Sequence, residues 1–313
     1  MGHLTDLKNH RIKKPSLLAI GVFDGVHLGH QHLFSNLIKT SKDNNLLSAV
    51  LTFKNHPGTI LNPDFHAQLV TTTQDKIKLI ESTGVDFVVP ISFDKELSQL
   101  SAKSFIELLQ KHLNMKGLSV GPDFHMGANR EADVSKLSIL GKEMGFFVNT
   151  PSLFEKTKIP VRSSSVRSSL LSGDIELANS ILGRKFSLSG EVIKGFQRGK
   201  DLGFPTANLS FDGNQIIPKN GIYATQVTLN NNLFNGATSI GTNPTFNNEH
   251  KSIETFILDF NRNIYGENIK VEFISKIRDE ETFNSTEDLI IQMENDVKKI
   301  QQIYRSDEKG KRT

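Results

Sequence analysis

Gly21-Val22-Phe23-Asp24-Gly25-Val26-His27-Leu28-Gly29-His30-Gln31 decides how the first half of the chain is read. The apolar run 17–23 leads into it as a strand. Gly25 and Gly29 then allow a tight turn and close backbone approach to a ligand. Beyond it, Leu33, Leu37 and Ile38 keep helical spacing, so a helix is expected over 29–41. Two histidines three residues apart therefore sit where a helix begins, beside free N–H groups and a partial positive charge. Imidazoles placed there can hydrogen-bond phosphate oxygens as negative charge grows during group transfer. Incidental surface histidines, or a metal site that also uses His32, are the other readings. Asp24 is the only nearby carboxylate for a metal, so phosphate binding is favoured.

Working outward, strands are expected over 46–53, 85–91, 117–121 and 146–150, and helices over 73–82, 101–113 and 133–144. Strands alternating with helices predict an α/β domain with a parallel sheet covered on both faces, its ligand site at the carboxyl ends of the strands. The texture changes near Gly183. Short β runs broken by Gly, Asn and Pro follow, with a hairpin around Asn230-Asn231-Asn232 and further strands over 252–260 and 268–277. Leu289, Ile290, Met293, Val297 and Ile300 then share one face of a helix over 286–304. These features predict a small β-barrel closed by a helix. The division expected is 1–183, 184–305 and a charged, frayed tail over 306–313.

The 313 residues carry 37 Lys plus Arg against 34 Asp plus Glu, so bulk charge gives no reason to expect nucleic-acid or membrane-surface binding. There is no cysteine, which excludes disulfides, thiolate nucleophiles and Cys-type zinc or iron–sulfur sites. No apolar stretch approaches a membrane span, and no small-residue cleavage site follows the run 17–23. A cytoplasmic protein acting on small molecules is expected, with its oligomeric state left open.

In the second half, Gly195-Phe-Gln-Arg-Gly199-Lys200-Asp-Leu-Gly203-Phe-Pro205-Thr206-Ala-Asn208 contains a Gly-Lys pair without the spacing of a Walker loop. A turn-rich basic loop still suits phosphate backbones. Thr206 and Asn208 alternate with Ala207, so both can face one way from a strand and offer neutral oxygens to Mg²⁺. Taken alone, the segment also reads as a plain loop and strand start. Ser164 and Arg167 likewise read either as phosphate donors one helical turn apart or as a helix cap and an exposed arginine.

Together these motifs resemble the bacterial bifunctional riboflavin kinase/FMN adenylyltransferase family, and the resemblance runs from about Leu17 to Tyr304 in order. The His27–His30 stretch resembles the HxGH signature of nucleotidylyltransferases. Thr52-Phe53-Lys-Asn-His56-Pro57, the segment 120–130 and Ser163-Ser164-Ser165-Val166-Arg167 resemble further elements of that half. Pro205-Thr206-Ala207-Asn208 resembles the PTAN motif of riboflavin kinases, and Ser252-Ile-Glu254-Thr255 resembles their VETH, with Phe256 in place of the histidine.

The resemblance implies a Rossmann-like nucleotidylyltransferase domain followed by a riboflavin kinase barrel, using Mg²⁺, ATP, riboflavin and FMN and yielding FAD. It implies Glu254, His27, His30 and Arg167 as catalytic residues. Gly21, Phe23, His27, His30, Ser164, Arg167, Gly199 and Lys200 are implied for ATP phosphates, Asp123, Phe124, Arg278 and Glu280 for flavin, and Thr206 and Asn208 for the metal. Arg162, Met126 and Ala132 depart from the family pattern and Lys200 stands for its arginine. Two competing readings follow: a kinase with a disabled adenylyltransferase half, and a non-catalytic flavin-binding regulator.

Overall fold

A strand buried on both faces is apolar wherever its side chains find no hydrogen-bond partner, and Ser16–Ile20 (β1) is buried along its whole length in the computed structural model, with the Ser16 hydroxyl donating to the Leu113 carbonyl. The structure describes residues 2–310 apart from 63, 66–67, 153, 155–159, 196–198, 200–201, 212 and 246–247, with backbone alone for 243–245, 248–250 and 306–310. β1 pairs in parallel with Leu47–Phe53 (β2) on one side and Met115–Ser119 (β4) on the other. Phe87–Ile91 (β3) and Phe147–Asn149 (β5) complete a five-stranded parallel sheet of order β3-β2-β1-β4-β5. The expected α/β architecture is therefore present, with strand ends differing by one to three residues.

Alternate residues of β1 feed two cores. Leu18 and Ile20 pack with Leu7 of helix His3–Asn9 (α1), with Ile106 and Leu109 of Ala102–Leu113 (α6) and with Leu137 of Val134–Met144 (α7). Leu17 and Ala19 pack on the opposite face with Phe34 and Leu37 of Leu28–Asp43 (α2) and Ile80 of Thr73–Glu81 (α4). Short helices Gly58–Leu61 (α3) and Lys95–Ser98 (α5) lie in the connections.

α1 does not stand out in the sequence, because polar contacts hold it. The His3 ring lies 2.8 Å from Asp94, and Asp6 takes Lys54 at 2.6 Å and the Ser92 amide and hydroxyl, each at 2.8 Å. Burial works to raise both carboxyls, but hydrogen bonds outweigh it and hold both below the ordinary carboxylate value: Lys54 and Ser92 on Asp6, His3 and the Leu97 amide on Asp94.

The chain divides into two compact units, Met1–Ser163 and Ser164–Thr313. Helices Ser163–Ser172 (α8) and Ile175–Leu182 (α9) group almost wholly with the second. Lys219 N–H donates to the Leu170 carbonyl, and Asn179 both donates to the Phe273 carbonyl and accepts from the Phe186 amide. The change of texture at Gly183 marks the approach of the first barrel strand, Phe186–Ile193 (β6).

That strand joins Thr206–Leu209 (β7), Gly221–Leu229 (β8), Asn232–Thr245 (β9), Asn248–Ile257 (β10) and Asn268–Arg278 (β11) in a closed antiparallel barrel of order β10-β7-β6-β11-β8-β9. The hairpin turn is two residues, Asn230-Asn231, both at positive φ (49° and 64°), while Asn232 already pairs with Leu229.

Thr286–Gly310 (α10) covers one end of a barrel cluster through Ile300 and Tyr304. The Tyr304 hydroxyl donates to the Thr225 carbonyl. The tail expected to fray from 306 is helical through Gly310, since the buried Ile300 and Tyr304 anchor the turns before it and nothing breaks the helix after them.

Candidate active sites

The first site is a turn between β1 and α2. Phe23, Gly25 and Val26 all take positive φ (51°, 80° and 41°), a strained path that the surroundings hold in place. The Thr52 hydroxyl donates to the Val22 carbonyl (3.0 Å), the Ser163 hydroxyl to the Asp24 carbonyl (2.8 Å) and the Gln31 amide to the Val26 carbonyl (2.9 Å). The Asp24 carboxylate accepts the Val70 and Thr71 amides at 2.9 and 3.2 Å. The turn is thus fixed by bonds to four other parts of its unit.

At its end His27 caps α2, its Nδ1 accepting the His30 amide at 3.3 Å. That bond leaves Nε2 as the position carrying the proton of a neutral ring, which makes it a hydrogen-bond donor. The His30 ring stacks on His27 at 3.6 Å between centroids, and Phe23 packs edge-on against His30 at 5.1 Å. A Cβ at Gly29 would meet the His27 ring at 3.2 Å, and one at Gly21 would meet the Phe23 ring at 2.8 Å. Both glycines therefore serve the close packing of these rings. Gly21, Phe23, His27 and His30 are brought together as the sequence predicts.

Asp123 and Phe124 follow β4 at the carboxyl end of the sheet. Asp123 is exposed and its carbonyl accepts from His125 (2.9 Å), while Phe124 packs at the edge of the core. Met126 and Ala132 form a short antiparallel bridge with both side chains buried, so these two departures from the family pattern are core residues. Ser164 is exposed and Arg167 half-buried on α8, one turn apart, with Val166 and Leu170 turned into the core.

The second site lies on the barrel. β7 and β10 pair so that Glu254 stands opposite Asn208 and Phe256 opposite Thr206. Ala207, Leu209, Ile253 and Thr255 point inward, leaving Thr206, Asn208 and Glu254 on one partly open face. The Thr206 hydroxyl donates to Glu254 Oε2 at 3.2 Å. A Cβ at Gly195 would fall 2.3 Å from the Asn208 amide, and one at Gly199 would fall 2.4 Å from the Phe204 carbonyl. Backbone thus closes over this face at the points where glycine permits it. Lys200 lies outside the described residues.

The expected flavin residues of this unit are held by protein groups. Arg278 makes a two-pronged ion pair with buried Asp296 (2.9 and 2.8 Å) and donates to the Asp279 carbonyl (3.0 Å). Glu280 accepts from Asn220 at 2.9 Å. Asn220 does not stand out in the sequence, and neither does Lys76. Lys76 is buried four residues before Ile80 on the inner side of α4, and a lysine within an apolar stripe is the signal that could have found it.

Residues 9–165 match the FAD synthetase family, and residues 182–304 match the riboflavin kinase family. The bifunctional riboflavin kinase/FMN adenylyltransferase of Buchnera aphidicola subsp. Schizaphis graminum is 40% identical, over 94% of this chain and 97% of its own. The protein of that name from Bacillus subtilis is 36% identical, over 94% of this chain and 95% of its own. A crystal structure described as a macrolide-efflux protein from Streptococcus pneumoniae superposes with a TM-score of 0.87 at 28% identity, covering 93% of this chain and 95% of that one. Among the described residues no helix is long and apolar enough to cross a membrane. With both halves matched in order and relatives of one name aligned almost end to end, this chain belongs to the bifunctional riboflavin kinase/FMN adenylyltransferase family.

Proposed function

We propose that the protein makes FAD in two steps. In the barrel, the riboflavin 5′-hydroxyl attacks the ATP γ-phosphorus, giving FMN and ADP. Glu254 takes the hydroxyl proton. Thr206 and Asn208 supply the neutral oxygens that would hold Mg²⁺ beside the phosphates, a donor set that suits a hard cation whose shell is otherwise water and phosphate. When bound, the metal neutralises charge developing on those phosphates. The carboxylate already engages the Thr206 hydroxyl at 3.2 Å, which fixes its aim before substrate arrives.

In the α/β unit, an FMN phosphate oxygen attacks the ATP α-phosphorus and pyrophosphate leaves. His27 and His30 donate to phosphate oxygens at the N-terminus of α2. Gly21 and Phe23 shape that turn, and Asp123 and Phe124 are assigned to flavin. Ser164, Arg167, Gly199 and Lys200 are assigned to ATP phosphates, and Arg278 and Glu280 to flavin, on the motif resemblance. The functional division is 1–183 and 184–305, in a cytoplasmic enzyme.

The observation that carries this reading is the presence of two separately assembled reactive groups, the stacked His27–His30 pair and the Glu254–Thr206–Asn208 face, one in each family match. Burial of Met126 and Ala132 keeps those departures in the core and favours an active first unit over a disabled one. Incubation with riboflavin, Mg²⁺ and excess ATP, followed by chromatography of the flavins, tests it. FAD accumulation is the expected result. FMN without FAD, even with FMN supplied, would leave a kinase alone.

A further inference from the structure

β9 and β10 pair so that Ser239 stands opposite Glu254 and Gly241 opposite Ser252. Directly paired residues share a face, so Gly241 lies on the face that carries Glu254, two residues or about 7 Å of strand away. A Cβ at Gly241 would fall 2.4 Å from Oε1 of Glu280 and 4.0 Å from the Ser252 hydroxyl. The absence of a side chain there lets Glu280, from the segment between β11 and α10, lay its carboxylate on the same face as the proposed base.

The other oxygen, Oε2, accepts the Asn220 amide at 2.9 Å. The same amide nitrogen donates to the Thr242 hydroxyl at 2.9 Å, which ties it to β9 beside Gly241. An ionised carboxylate only accepts, so the amide must turn its two N–H groups this way, and both are used. Neighbouring cations bond other groups. Lys251 donates to the Pro218 carbonyl (3.2 Å), Arg278 pairs with Asp296 (2.8 Å), and Lys219 and Lys276 pair with Asp279 (3.0 and 2.5 Å). Among the described residues, Asn220 is therefore the hydrogen-bond donor that fixes the exposed Glu280 carboxylate.

We infer that Asn220 is a positioning residue for riboflavin phosphorylation. Bridging Thr242 and Glu280, it holds the Glu280 carboxylate where hydroxyl or N–H donors of the flavin meet it, while Glu254 faces the reacting hydroxyl. The inference rests on the proposed assignment of Glu280 to flavin. Asn220 acts through Glu280, so its influence falls on flavin binding rather than on proton removal at Glu254.

Phosphorylation kinetics on the full-length chain, with riboflavin and ATP varied in turn, test it. Asn220→Ala is expected to raise KM for riboflavin by on the order of fivefold to tenfold, the worth of one hydrogen bond to a charged group, with kcat and KM for ATP within about twofold. Asn220→Asp, of the same shape, is expected to raise it further, because it sets two carboxylates side by side. In a Glu280→Ala background, Asn220→Ala should add nothing, since the group it positions is gone.

KM for riboflavin within about twofold of wild type in Asn220→Ala, while Glu280→Ala raises it, overturns the inference. So does the same rise in both backgrounds, or a fall in kcat with KM unmoved, which is what a barrel merely loosened at the start of β8 would show. Should Asn220→Ala fail to fold, Asn220→Asp in the two backgrounds decides alone. Glu280→Ala separates the two levels: an unchanged KM for riboflavin there removes the flavin assignment and the inference with it, whatever the Asn220 variants do.

Discussion

The two candidate sites are built by opposite means. In the α/β unit, four of the site residues lie within ten positions of one another, Gly21 to His30, and one strand-to-helix turn delivers them all. In the barrel, Thr206 and Glu254 are 48 positions apart and meet only because β7 and β10 pair in one register. A turn with three consecutive-region residues at positive φ depends on the scaffold to hold it, here through Thr52, Val70, Thr71 and Ser163. A barrel face depends on register, because a slip by one residue would turn Glu254 inward and Thr255 outward. The first site is therefore sensitive to its supports and the second to its strand pairing.

The largest expected effect sharpens that contrast at the barrel. Glu254→Gln should reduce riboflavin phosphorylation by about 10²–10⁴-fold, the range for a positioned general base. Adenylylation of supplied FMN should be unchanged, as separate assays on one preparation would show. Loss of both reactions would break the separation of the two sites.

Next in size, His27→Ala combined with His30→Ala should lower adenylylation by about 10²–10³-fold, comparable to removing a preorganised donor to a developing charge. Phosphorylation should persist. Calorimetry gives a third comparison: Leu109→Ala, in the α/β core, should cost about 2–5 kcal/mol and lower the transition of the first unit. Tyr304→Phe should cost the barrel about 1 kcal/mol, the worth of one hydrogen bond to the Thr225 carbonyl.

The smallest effect concerns acid. Asp6 and Asp94 are held below their ordinary value of 3.8 in the folded chain, so the stability they contribute is fully present above that value. It is lost as pH falls through the lowered folded values, when both carboxyls take up protons and α1 loses its anchors. Hydrogen exchange at α1 amides should rise at a less acidic pH than exchange in β1; simultaneous loss would mean that α1 does not detach on its own.

Much of this was legible in the chain. β1 and β2 are largely apolar runs, and such runs announce strands covered on both faces. The His27–His30 stretch carries its own strand end, turn and helix start, so local chemistry names the site without any long-range contact. Ala207 between Thr206 and Asn208 already implied a shared face. Other features were not legible, because their cause lies far away in sequence. α1 is polar and short, and it is fixed by Asp94 and Ser92, 91 and 86 positions from their partners His3 and Asp6. Nothing local pairs Arg278, expected at the flavin, with Asp296, which lies 18 positions on and reaches it only through α10.

The sequence by itself determined the order of elements, the two architectures, the histidine turn and the candidate metal face, since apolar period, turn residues and short motifs act over a few positions. Only the tertiary structure decided that buried Lys76 donates to the Phe53 carbonyl, that Met126 and Ala132 are core, and that Glu254 meets Thr206. Those facts depend on which strands pair and on where a buried charge finds its partner, and no local pattern encodes either.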